Sequence, residues 1–384
     1  SRYVLQFSDT ARDNVGNPLS MTDWTGTWDY GYDENNRLTL AVLPNPVPGQ
    51  PAGGDYEYDW VGNRLQPPSG ANPMLYNDAD QLVSWPGRYT YGYHGDGSLS
   101  WVSSARGNVA NYTYHPTGLL DEAKYYDKAG NQRSLSNIWD ADNNRVSFTV
   151  NDEDTWSFVY DIEAGIPAVI SETQPNESVV YYFREPGGGL IARKNGSAMH
   201  YYHFDSLGST RLITDSDGDV TDRYSYDAYG AVLSHERESG YIDQPYQFVG
   251  QLGYYTHYQD PDFGLLQLGV RFYDAEVGRF TSRDPAKDGL NWYGYVDGRP
   301  SLAADPTGMF LLEALRIRCL CNGLARAIEL HFEHDKTAHC FFNCRAGQCM
   351  WPLNARIIPT LLSIPESDIQ DIAANYVGGA CAAL

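Results

Sequence analysis

Over the first 309 residues, aromatic and aliphatic side chains fall on alternate positions in short runs, and each run ends in a polar turn. Tyr30-Gly31-Tyr32-Asp33 leads through Asn36 to Arg37-Leu38, and Tyr56-Glu57-Tyr58-Asp59 leads through Gly62-Asn63 to Arg64-Leu65. Later versions are Tyr126-Asp127, Trp139-Asp140 and Phe204-Asp205, with looser copies at Tyr76, Tyr91 and Tyr112-Thr113-Tyr114. Residues at i and i+2 of a strand share a face, so each tyrosine pair marks one side of a strand. The Asp opens the turn, where its carboxylate caps backbone N–H groups. Gly-Asn or Asn-Asn supplies the positive φ that a tight hairpin needs. The pattern predicts rows of hairpins, each marginal alone, that together bury a continuous aromatic stripe. The spacing is too irregular for a strict solenoid. These tyrosines read first as packing groups and only second as ligand contacts.

The pattern stops near position 309. All six cysteines lie beyond it, and every tyrosine except Tyr376 lies before it. Of the 27 basic and 49 acidic residues, six and seven lie in 310–384, so the first part carries −21 of the net −22. Segments this different are not expected to share a core. In the tail, Leu311, Leu315, Leu320, Leu324, Ile328 and Phe332 recur at helical spacing. A second helix is predicted over 368–377, with Ser367 and Gln370 as a capping box and Gly378-Gly379 as its stop. Three readings of the cysteines stand open: disulfides in an exported protein, a zinc site, or a catalytic Cys or His. His331, His334, His339, Cys340, Cys344 and Cys349 are the candidate zinc ligands, but they lack a C-x2-C pair, so no metal and no cofactor is assigned.

Charge and hydropathy narrow the function. A net of −22 excludes the basic nucleic-acid binder as a reading of the whole chain. The longest apolar run is too short to cross a bilayer as a helix. The opening Ser1-Arg2-Tyr3-Val4 reads as mid-strand, as in a piece of a longer protein. Asp215-Ser216-Asp217-Gly218-Asp219 spaces carboxylates as Ca²⁺ loops do, but it lacks a downstream Glu and reads as a hairpin turn.

One stretch is far more specific. Tyr202-His203-Phe204-Asp205-Ser206-Leu207-Gly208-Ser209-Thr210-Arg211 is followed by Tyr224-Ser225-Tyr226-Asp227-Ala228-Tyr229-Gly230. Arg271-Phe272-Tyr273-Asp274, Gly278-Arg279-Phe280, Arg283-Asp284-Pro285 and Asn291-Trp292-Tyr293-Gly294-Tyr295 come next, and Asp305-Pro306-Thr307-Gly308-Met309 closes the series. The series resembles the repeat-associated core of the YD-repeat, or Rhs-repeat, family, which includes bacterial Rhs toxins, the C component of Tc toxins and the teneurin shell. The resemblance implies a mainly β fold. Residues 1–195 would be a YD-repeat shell segment, 196–309 the Rhs core cap, and 310–384 a variable, small helical Cys-rich domain.

It also implies chemistry. Active family members cut themselves just after the final Asp-Pro-x-Gly, which here places the cut at Met309–Phe310. Asp284 and Asp305, with Arg283, become the candidate catalytic residues. Chemically, one ionised Asp would activate water while its protonated partner polarises the carbonyl. Proline after each Asp holds both segments rigid and non-helical. Asp297-Gly298-Arg299-Pro300 departs from the family's Asn-Asn-Pro turn, which puts the approach of Asp305 in question. The expected function is a secreted or cell-surface toxin carrier whose shell encloses or presents the tail and releases it by aspartyl self-cleavage. Expected partners are upstream repeats or a companion shell protein, and an immunity protein for the tail. The alternative is a non-enzymatic adhesion shell, with carbohydrate as its partner and the tail as a structural terminus.

Overall fold

The computed structural model describes residues 8–44, 53–66, 73–163, 168–309 and 312–313. The chain divides into two compact units after Leu311. The helices, cysteines and histidines expected of the tail, and Phe310, lie outside the described residues.

The first unit is built from antiparallel hairpins in chain order. Five strands, Ser8–Arg12, Pro18–Asp23, Gly26–Tyr32, Leu38–Val42 and Gly53–Asp55, form one sheet. Sixteen more, from Leu75–Tyr76 to Val232–Arg237, form a second in which each strand pairs with its sequence neighbours. This second sheet runs through the 195/196 boundary without a break: Leu190–Asn195 pairs with Ala198–Phe204. A four-stranded sheet follows: Tyr255–Thr256, Leu265–Leu268, Arg271–Asp274 and Arg279–Phe280.

The repeated Asp makes this order possible. Asp33, Asp59 and Asp140 each accept two backbone N–H bonds on Oδ1, from positions i+2 and i+4, at 2.8–3.1 Å. Asp205, Asp215 and Asp227 do the same at 2.8–3.0 Å. Each carboxylate thus satisfies donors that a bare turn leaves to water. Position i+3 takes a positive φ, 63° at Asn36, 92° at Gly62 and 64° at Asn143, which explains the Asn or Gly there. Asp215 therefore caps a turn, as its sequence suggests.

The aromatic before the Asp makes the second tie. Tyr32 donates its hydroxyl to Pro18 O at 2.7 Å, Tyr58 to Leu38 O at 2.9 Å and Tyr160 to Arg145 O at 3.0 Å. Tyr226 reaches Thr210 O at 2.8 Å, and Trp139 uses its indole N–H on Leu120 O at 2.9 Å. In every case the acceptor lies at or within a residue of the start of an earlier strand, so the end of one run is fastened to the beginning of another.

Residues 244–309 pack on the buried face of the large sheet. Tyr255 meets Phe148 and Phe158 with ring centroids 5.9 and 5.5 Å apart, Tyr246 meets Tyr182 at 4.9 Å, and Phe263 meets Tyr125 at 5.4 Å. The contact is not purely apolar. Arg145 lies over Phe148 and Tyr255, and its Nη1 donates to His257 Nε2 at 2.6 Å. Burial and the Arg145 charge hold His257 well below its usual pKa, so it is neutral, with Nδ1–H donating to Leu265 O at 3.0 Å. Glu172 is fully buried and accepts hydroxyls from Tyr182, Tyr255 and Tyr258, each at 3.3 Å. Burial pushes its pKa up, against the opposing charge of Arg193.

Replacing Tyr160 by Phe removes one hydroxyl-to-carbonyl tie and should cost about 1 kcal/mol in urea unfolding. A cost near zero would mean that the aromatic ring alone does the fastening.

Burial also raises Asp227 and Asp274, each to about 6. The native state then holds protons that the unfolded chain has released between roughly pH 4 and 6. Stability from these groups is fully present below that window and is lost as pH rises through 6. Asp127, lowered by the Asn131 side chain, acts below the window. Buried His257 and His200 and half-buried His203 act the other way, since their imidazoles take up protons in the unfolded chain as pH falls below about 6.5. The double variant Asp227→Asn/Asp274→Asn isolates the carboxyls: its melting temperature at pH 5.5, taken relative to its own value at pH 7.5, should fall below the same difference in the parent.

Candidate functional site

The hairpin that joins Leu265–Leu268 to Arg271–Asp274 sets one wall of the site. Its Gly269 adopts φ 53°, and Val270 donates its N–H to Thr307 O at 3.1 Å. A β-carbon at Gly269 would strike the Thr307 carbonyl, and one at Gly308, with φ 69°, would strike Leu268 O. Glycine at these two positions allows Asp305-Pro306-Thr307-Gly308 to lie directly on the hairpin.

That approach puts Arg271 at the centre. Its guanidinium is buried over the Phe280 ring, 3.5 Å from the centroid. Nη2 reaches Asp305 Oδ2 at 3.3 Å, Nη1 donates to Trp292 O at 3.0 Å, and Nε donates to Gly308 O. Asp284 donates its own N–H to the same Trp292 carbonyl, at 2.8 Å. Burial lowers the Arg271 pKa, while the charges of Asp305 and then Asp284 oppose that fall. Arginine remains charged through such shifts. One buried cation thus stands in the field of both aspartates.

Both aspartates are buried, 6% exposed for Asp284 and 4% for Asp305. Asp284 accepts N–H bonds from Ala286 at 2.8 Å and Asp288 at 3.2 Å. Asp305 donates its N–H to the Tyr254 hydroxyl at 2.6 Å, and that hydroxyl lies 2.9 Å from the Tyr295 hydroxyl. Its Oδ1 accepts the N–H of Met309 at 3.1 Å. The amide between Gly308 and Met309 is therefore gripped at both ends, its oxygen by Arg271 and its N–H by Asp305.

Of the residues singled out in the sequence, Asp305 and Met309 meet directly, and Asp284 is tied to them through Arg271 and the Trp292 carbonyl. Arg283 does not join them through its guanidinium: Nε donates to the Tyr293 hydroxyl at 3.2 Å, and the side chain runs beside Gly97 and Trp292. The cation at the aspartates is Arg271, which the sequence presents only as the start of another aromatic-Asp repeat. Tyr254 and Tyr295 are equally hidden among thirty tyrosines.

Comparison with known proteins agrees with this architecture. The Teneurin YD-shell family model matches residues 16–292, and the chain belongs to that family. It is 27% identical over 318 residues to double-stranded DNA deaminase toxin A of Burkholderia cenocepacia, covering 79% of this chain and 19% of that one. It is 35% identical over 113 residues to toxin protein Tse5 of Pseudomonas aeruginosa, covering 29% of this chain and 8% of that one. Human teneurin-4 is 26% identical over 296 residues, covering 74% of this chain and 10% of teneurin-4. The chain thus spans at most about a fifth of the length of these relatives. Among solved structures, the TcdB2-TccC3 crystal structure aligns with 80% of this chain and 20% of that one, at 18% identity and a TM-score of 0.40. The repeats quoted from the sequence are thus those of a YD shell. Among the described residues no helix is long and apolar enough to cross a membrane.

Arg271→Lys keeps the charge but loses the planar fork that holds three acceptors. It should destabilise the protein by about 2–3 kcal/mol in urea unfolding. Arg283→Lys, at a half-buried position with one described hydrogen bond, should cost less than about 1 kcal/mol. Equal costs would show that Arg271 is not the tie between the segments.

Proposed function

We propose that this chain is part of a toxin carrier: a YD shell that presents the segment after Met309 and frees it by aspartyl self-cleavage. The observation that carries this reading is the double grip on the Gly308–Met309 amide by Arg271 and Asp305, with Asp284 in the same charge field. Holding that amide at both ends restrains the Met309–Phe310 bond that follows it, next to Asp305. The substrate is the chain itself, so positioning carries no cost of association.

The Arg271 charge lies on Asp305 and assigns it the ionised, water-activating role. Asp284 is the second carboxyl of the proposed pair. Asp305 takes a proton from water, and the resulting hydroxide adds to the Met309 carbonyl carbon. Proton return to the departing nitrogen breaks the C–N bond to Phe310, leaving a Met309 carboxylate and a Phe310 amine. Arg283 acts from a distance, through Tyr293 and the backbone that carries Asp284. No metal or cofactor is invoked.

Relatives that carry the toxin name, in Burkholderia cenocepacia and Pseudomonas aeruginosa, support the carrier reading, as does the change in composition at the same point. We extend to this chain a secreted or cell-surface location, upstream or companion shell repeats, and an immunity protein that neutralises the tail.

The whole chain should run as two fragments, with Phe310 as the new N-terminus by terminal sequencing. Asp284→Asn and Asp305→Asn should each leave it intact, and Arg271→Lys should slow the cut. Persistence of two fragments in the Asp284→Asn protein refutes the aspartyl pair. Expression of residues 310–384 should arrest growth of the host, and unimpeded growth would refute the carrier role.

A further inference from the structure

The loop that carries Asp284 is held by the shell as well as by its own segment. Asn63, in the turn at Asp59, is 1% exposed. Its Nδ2 donates to Asp59 Oδ2 and to Asp80 Oδ1, each at 2.9 Å. Its Oδ1 accepts from Arg279 Nη1 and from Asn291 Nδ2, each at 2.7 Å. Two donors and two acceptor sites are all that an amide has, so this one is saturated. Aspartate would keep the shape but lose both donors, and leucine would lose every bond.

The partners fall into two groups. Asp59 and Asp80 belong to successive turns of the repeat region, those at Asp59 and Asn77. Arg279 and Asn291 flank the Asp284 loop, 216 and 228 residues further along the chain. Asn63 therefore joins the shell to the loop. The same repeat position elsewhere does not. Asn131 and Asn144 stand at i+4 of the turns at Asp127 and Asp140, and among the described residues their side chains bond only to those aspartates, at 3.0 Å.

From Asn63 the contact reaches the site in two steps. Asn291, fixed at Nδ2, accepts the N–H of Tyr293 on its Oδ1 at 3.1 Å. That bond brackets Trp292, whose carbonyl accepts both Arg271 Nη1 at 3.0 Å and the Asp284 N–H at 2.8 Å. A shift of this one carbonyl moves both groups. Neighbouring turns hold the same loop through Tyr293, whose hydroxyl donates to Gly97 O at 2.6 Å and accepts Gln81 Nε2 at 3.1 Å.

We propose that Asn63 is a positioning residue for self-cleavage, coupling closure of the shell turns at Asp59 and Asn77 to the placement of Asp284 and Arg271. The cut then waits until those turns have formed. This proposal rests on the aspartyl reading above.

The test follows, after cell-free synthesis of the full chain, the fraction cut after Met309 with time. It is run at a temperature at which each variant resists trypsin as the parent does, so unfolding does not enter the rate. Asn63→Ala should slow the cut about 10–100-fold, as misplacement of a reacting group does. Asn144→Ala loses the same turn bond away from the site and should cut within about twofold of the parent. Asn291→Ala should slow the cut as Asn63→Ala does, and it carries the test if Asn63→Ala does not fold. Because both act through one link, Asn63→Ala/Asn291→Ala should cut within about twofold of the slower single variant. A parent that stays whole refutes self-cleavage and this coupling together. A parent that cuts, with Asn63→Ala and Asn291→Ala cutting at its rate, overturns the coupling alone. So does equal slowing in Asn144→Ala, or a double variant whose slowing is the product of the two singles.

Discussion

The repeated hairpin turns among the described residues depend on one constraint: a turn carboxylate takes up two backbone N–H groups at once. Asp33, Asp59, Asp140, Asp205, Asp215 and Asp227 all satisfy it with the same Oδ1 geometry. Without it, each turn would carry donors that only water could meet, and the strands would lose a fixed register. Where Tyr or Trp stands one residue earlier, as at Tyr32, Tyr58, Trp139 and Tyr226, its hydroxyl or indole N–H then fixes the end of that strand to the start of another. The pair acts as a local clamp, repeated along the chain, and it explains how a sheet of sixteen strands can form from sequence neighbours alone.

A sheet of that kind still needs something to cover its aromatic face. Residues 244–309 supply it, and they bring charge inside. Arg145 rests among Phe148, Phe158 and Tyr255, with neutral His257 as its hydrogen-bond acceptor. Glu172 rests among three tyrosine hydroxyls. Rings accept cations on their faces, and phenols donate to a carboxylate, so aromatic-rich packing tolerates buried charge that an aliphatic core would not. Arg271 is the extreme case. It lies against Phe280 and spends its donors on Asp305, Trp292 and Gly308. The same tolerance therefore serves both folding and the site.

Half of the site is legible in the amino-acid sequence. Asp284-Pro285 and Asp305-Pro306 stand out because proline after Asp marks a rigid segment, and Met309 stands out because the chemistry of the chain changes there. Arg283 is the natural choice of cation because it is adjacent in sequence. Adjacent residues of an extended segment point to opposite sides, however, and Arg283 goes to Tyr293 while Asp284 turns to its own loop. Arg271 comes from thirteen residues earlier and meets its partner Asp305 thirty-four residues later. No local pattern encodes that distance.

The sequence by itself determined the repeated unit: alternation set the strands, Asp set the caps, and Asn or Gly at i+3 set the left-handed turn. All of these act within about five residues, where chain connectivity already brings the groups together. Tertiary structure alone decided which arginine faces Asp305 and which tyrosines reach Glu172. Those outcomes depend on segments that meet only after the sheet has formed, when burial makes an unpaired charge or donor too costly to leave where it stands.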